Sequence, residues 1–150
     1  NDHEHSLEIQ LPFLQKTLGS EFSLLPFMIR SHDEGFLMET AEALADVLLD
    51  HNVLLVASTD LSHFFNVSEA NRLDQYMLQQ ITQFSPEGVL KAERSGSGSA
   101  CGAGAVALVL WLAQHLGGDK VTLLKHATSA EASGDTHRVV GYGAAVITRG

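Results

Sequence analysis

Cysteine is nearly absent from this sequence: Cys101 is the only one in 150 residues. That excludes an internal disulfide and leaves the cytoplasm as the expected compartment. Basic residues are scarce as well. Nine Lys and Arg face 18 Asp and Glu, giving a net charge of -9 and a pI near 5.2. Such a balance argues against a nucleic-acid partner and against an anionic membrane surface. Long apolar runs are missing too. The longest, Ala105 to Ala113, is far too short to cross a bilayer.

What is present is a globular composition, 45% hydrophobic and 18% charged, at a length that suits one domain with a real core. The chain opens on Asn1-Asp2-His3-Glu4-His5, without Met and with chemistry-bearing residues at once. It reads as a single α/β domain over 1–150 that forms the C-terminal part of a longer protein.

The stretch from Val53 to Phe64 organises the reading. Branched apolar residues end abruptly in Ser58-Thr59, then Asp60 and His63. The first half has the pattern of a strand buried on both faces. The second half resembles the carboxyl end of such a strand, the edge where open α/β sheets bind ligands. A structural alternative is an Asp-capped turn with His63 merely packed or solvated.

Around it, strand and helix patterns alternate. Residues 6–18 carry a helical stripe that Pro12 kinks or restarts, ended by Gly19-Ser20. Phe22 to Ile29 reads as a strand, placed at an edge by Pro26. Asp33 to Leu49 is a helix with a buried stripe of Phe36, Leu37, Thr40, Ala41, Leu44, Val47 and Leu48. Ser68 opens another helix running to about Phe84, and Ser85-Pro86-Glu87 starts a short one to about Glu93. Arg94 to Ala100 is a flexible loop by composition. Cys101-Gly102-Ala103-Gly104 opens an apolar helix that ends at Gly117-Gly118, its small residues allowing close approach of a backbone or ligand. Val121 to Lys125 is a strand continuing towards Ser129, Glu131 to His137 a polar loop, and Arg138 to Thr148 a closing strand. In that last strand Gly141 and Gly143 predict a bulge or tight packing. The strand–helix–strand order predicts a three-layer domain with a mainly parallel sheet flanked by helices.

Three sets of polar residues stand at element ends: His3/Glu4/His5, Asp60/His63 and Cys101. His, Asp and Cys form a plausible mixed donor set for a transition metal. His5 is preferred to His3, which sits nearer the terminus, and Glu4 is placed to orient it. A cysteine opening a helix has its thiolate favoured by the dipole, although a lone Cys among small apolar residues is more often simply core. The Gly102-Ala103-Gly104 pattern lacks the third glycine and the acidic residue of a dinucleotide fingerprint. Arg138 is placed to bind an anionic substrate group or to hold the loop through Asp135. His126 and His137 lie near the expected cleft edge, while His32, His51 and His115 read as surface or capping residues.

Four segments in order resemble one family. Glu4-His5-Ser6-Leu7-Glu8 with Gln10-Leu11-Pro12-Phe13-Leu14 is similar to its first motif. Ser58-Thr59-Asp60-Leu61-Ser62-His63 resembles its "SSDLSH" segment. Cys101-Gly102-Ala103-Gly104 resembles its "CGxG" helix start, and Ser133-Gly134-Asp135 with Val139-Val140-Gly141-Tyr142 its closing strand. This is the Memo family, which includes the AmmeMemoRadiSam system protein B sequences. The resemblance implies a fold like that of class III extradiol dioxygenases and a cleft lined by histidines, an aspartate and a cysteine. His5, Asp60, His63 and Cys101 match four of those positions, and the first family histidine belongs upstream of this chain.

The resemblance implies a non-haem iron or copper site with redox, dioxygenase-like chemistry. His5 and Cys101 would be metal ligands, Asp60 a ligand or an orienter of one, and His63 an acid/base group beside the substrate, so that Asp60, His63 and Cys101 carry the chemistry. Zinc, and then hydrolysis, is a third choice. The competing expectation is a non-catalytic cleft that binds a peptide or protein. In either case the expected partner is a small molecule or peptide in the cleft; the sequence leaves substrate and oligomeric state open.

Overall fold

Side-chain caps at three helix starts and apolar residues every three or four positions shape the helices, six of which stand with three strands in residues 6–19 and 21–150, the part that this computed structural model describes. A 3-10 turn at Glu8–Gln10 leads into α1, Leu11–Leu18. Pro12 stands in the first turn of α1, where a missing N–H costs nothing, so the helix restarts there as expected. Gly19, at φ 82°, ends it.

Helix α2, Glu34–Leu48, begins where Asp33 accepts the Phe36 amide at 2.8 Å. It buries Leu37, Ala41 and Ala45, but Phe36 and Val47, expected in the stripe, stay 53% and 66% exposed. Helices α3, Val67–Thr82, and α4, Pro86–Ser95, are capped by Asn66 and Ser85. Helix α5, Ala103–His115, is apolar on every side because it is covered on two. Val106 and Leu110 meet Met77 and Ile81 of α3 and Val89 of α4. Its other face, with Ala107, Leu108 and Trp111, meets Leu37 and Ala41 of α2. The central element is therefore α5, not the stretch 53–64.

The mainly parallel sheet is not found. Strands β1, His63–Phe65, β2, Lys120–Thr128, and β3, Val139–Thr148, form a small sheet in the order β1-β3-β2. Both pairings are antiparallel. The connection 129–138, which includes the one-turn helix α6, Ala130–Ser133, is too short for a parallel crossover. The parallel expectation also required segments 22–29 and 53–58 to share one ladder. Neither forms a strand; Val53, Leu54 and Val56 are 43%, 66% and 49% exposed, and Leu25 and Phe27 are exposed as well.

The expected flexible loop at 94–100 is instead a packed turn. Arg94 and Ser95 finish α4, Gly96 caps it at φ 68°, and the Ala100 amide donates to the Glu93 carboxylate at 2.7 Å. Gly141 and Gly143 lie against α3, as tight packing requires. A side chain on Gly141 would overlap the Asp74 carboxylate, and one on Gly143 would lie 2.8 Å from Leu78. Among the described residues, no helix is long and apolar enough to cross a membrane.

Candidate functional site

Two backbone segments distant in sequence are stitched together at the N-terminal approach to α5. The Cys101 amide donates to the Asp60 carbonyl at 3.2 Å. In return, the Asp60 amide donates to Cys101 Sγ, also at 3.2 Å. The Gly102 amide donates to Thr59 Oγ1 at 2.8 Å, and that hydroxyl donates to the Asp60 carbonyl at 2.7 Å. Thr59 Oγ1 also lies 3.6 Å from Cys101 Sγ. Glycine at 102 permits this: a Cβ there would be 2.9 Å from the Ser58 carbonyl oxygen and from Thr59 Cβ.

Cys101 is exposed and sits in a turn, two residues ahead of α5, whose N-cap is Gly102. Its sulfur is thus positioned by Thr59 and Asp60 rather than by the first turn of the helix. Asp60 Oδ2 lies 3.3 Å from His63 Nε2, with the side chains 47% and 36% exposed. Asp60 thus stands next to both Cys101, through its main chain, and His63, through its carboxylate, at a solvent-reached place.

Behind the cluster lies a buried support. Leu61 donates to the Gly141 carbonyl at 2.9 Å, and Gly141 to the Ser62 carbonyl at 2.8 Å. The Ser62 amide donates to Asp74 Oδ1 at 2.9 Å. Asp74 is fully buried, and its Oδ2 lies 2.8 Å from His126 Nε2. The segment carrying both Asp60 and His63 is thus tied to α3 and, through His126, to β2. His126 serves this support rather than the cluster. It also borders a surface hollow of about 300 Å³ lined by Val67, Asn71, Thr128 and Glu131. The hollow is separate from Cys101, and the clustering of reactive groups locates the candidate site better than concavity does.

Asp74 and Thr59 are the residues that sequence reasoning misses. A signal exists for Asp74: it occupies the buried stripe of α3 between Ala70 and Met77, where an acid needs a partner. Thr59 carries no comparable mark. His137 stays in an exposed turn, where its amide donates to Asp135 Oδ1 at 2.8 Å. The Arg138 guanidinium lies over the Phe64 ring, 5.1 Å from its centroid. On the solvent face of α3, the hydrogen bond from Arg72 holds the Glu69 carboxyl below its usual range.

His5 and Glu4 lie outside the described residues. The residue after them is placed: the Ser6 carbonyl accepts from Ser58 Oγ at 2.7 Å, and Gln10 Nε2 donates to the same hydroxyl at 3.0 Å. Among the described residues, no three His, Cys, Asp or Glu side chains are grouped to hold a metal ion. Those residues alone do not fit iron or copper, so a metal reading depends on His5.

A small α/β domain presenting an Asp–His pair and a cysteine at the junction of a sheet and its central helix is the class defined here. The chain belongs to the Memo-like family, whose profile, described as "Memo-like protein", matches residues 1–146. It is similar to a MEMO1 family protein of Methanopyrus kandleri, 37% identical over 150 residues covering 99% of this chain and 53% of the relative. A MEMO1 family protein of Thermotoga maritima is 37% identical over 145 residues, covering 96% of this chain and 50% of the relative. One from Methanosarcina mazei is 34% identical over 147 residues, covering 97% and 55%. The chain thus spans about half the length of the curated relatives it matches.

Proposed function

We propose that Asp60, His63 and Cys101, completed by His5, form a metal-dependent redox site acting on a small-molecule or peptide ligand. The observation that carries this reading is the reciprocal bonding of Cys101 to Asp60, across 41 residues of sequence and beside His63. These groups are exposed and bury little, so packing alone does not account for their convergence. His5, Cys101 and Asp60 would be the protein ligands. Iron or copper bound there would supply electron exchange and open positions for a ligand.

The chain's own residues have separable tasks. Thr59 and the Asp60 amide fix the sulfur. With the proton on His63 Nε2, the Asp60 carboxylate orients the ring and leaves Nδ1 to accept a proton from the ligand.

Elemental analysis by mass spectrometry tests the proposal on wild type, Cys101→Ser and His5→Ala after reconstitution with iron or copper. Near-stoichiometric metal in wild type, lost in both variants, is the expected result. Metal retained in Cys101→Ser, or absent from wild type, would sink it. Zinc alone would redirect the chemistry to hydrolysis. The exposed apolar side chains of Leu25, Phe27 and Leu54 favour a second reading, a non-catalytic module for a peptide or protein. That reading requires His5→Ala to leave partner binding unchanged.

A further inference from the structure

We propose that Arg138 and Phe64 form an anion-recognising wall of the site, so that the ligand brought to Asp60, His63 and Cys101 carries a carboxylate. This deepens the proposed function and rests on its choice of site.

The first observation is backbone strain. Phe64 has φ 67°, a left-handed conformation unfavourable for a bulky residue. It lies between His63 and Phe65, where the register of β1 against β3 shifts. Bulges of this kind re-aim side chains, and strain of this kind persists at functional sites. The outcome here is a large aromatic ring left 63% exposed, with its centroid 5.7 Å from that of the His63 ring. Burial does not explain the conformation.

The second observation is what lies on that ring. The Arg138 guanidinium lies over the Phe64 ring, with Cζ 5.1 Å from its centroid. A cation held over an aromatic face keeps N–H donors for a further partner. Among the described residues, no hydrogen bond or ion pair engages those donors. Arg138 directly precedes β3, whose Val139 and Val140 pair with Phe65 and His63.

Charge completes the argument. A chain of net charge -9 repels anions unless a local cation collects them. Arg138, over the ring that neighbours His63, supplies such a cation at the edge of the site. A guanidinium fork matches the planar geometry of a carboxylate in a way that an ammonium does not. Arg138 is thus a positioning residue: it fixes the ligand's anionic end while His63 faces the reacting end.

The test is an NMR titration of the 150-residue chain with benzoate, following the His63 imidazole, with benzamide as the uncharged control. The expected result is saturable shifts with benzoate, none with benzamide, and affinity at least about tenfold weaker in Arg138→Ala. Arg138→Lys, which keeps the charge but not the fork, should fall between them, and it carries the test if the alanine variant does not fold. Benzoate bound equally by wild type and Arg138→Ala, or not bound by wild type at all, overturns the proposal. Metal content is measured on the same samples. A metal-free chain that binds benzoate through Arg138 sinks the metal reading alone, while a metal-loaded chain indifferent to benzoate sinks this one alone.

Discussion

Asp74 holds two segments at once, the Ser62 amide through Oδ1 and His126 through Oδ2, from a fully buried position. Removing one partner of such a buried pair leaves the others unsatisfied, which costs about 3–5 kcal/mol. Asp74→Ala should therefore lower the unfolding free energy by about that amount in urea denaturation. A loss below about 1 kcal/mol would mean that the pair holds nothing in place. The same residue shows what a sequence hides. Asp60, His63 and Cys101 are legible because polar residues at the ends of apolar runs stand out. Asp74 is less so: its place on the α3 stripe calls for a partner, but that partner, His126, stands 52 residues later.

Helices are more legible than strands. The caps Asp33 and Ser85 and the glycine stops at Gly19 and Gly117 are local signals, and the helices begin and end close to them. Strand pairing is not local. The run Val53 to Val56 has the composition of a buried strand yet pairs with nothing among the described residues, because pairing depends on a neighbour that composition does not specify. Two glycines near helix starts separate local preference from packing. A methyl group added at Gly35 in α2 would meet only Asp33 Oδ1, at 3.6 Å, whereas one on Gly104 in α5 would strike the Ser31 carbonyl and lie 3.2 Å from His32. Gly35→Ala should stabilise by about 0.4–1 kcal/mol, the ordinary gain of alanine in a helix. Gly104→Ala should destabilise by about 1–3 kcal/mol despite that same gain, because backbone cannot yield cheaply. Thermal denaturation of the two variants checks the opposite signs; a stabilising Gly104→Ala would show that α5 and segment 29–32 are not in contact.

At the scale of the whole molecule, the fold acts by bringing residues 58–63, 101–102 and 138–141 to one place. α5 is the central support for this, buried against α2 on one side and α3 and α4 on the other. The Memo-like relatives extend over about twice this length, and apolar side chains stand exposed on segments 22–29 and 53–56. The central claim is that Cys101, Asp60 and His63 make up one site. The most direct measurement is the NMR response of the His63 imidazole and the Asp60 amide to alkylation of Cys101 with iodoacetamide, using His115 at the far end of α5 as the internal control. Both the Asp60 and the His63 signals are expected to shift while those of His115 do not. Alkylation that left His63 and Asp60 unmoved would contradict the central claim.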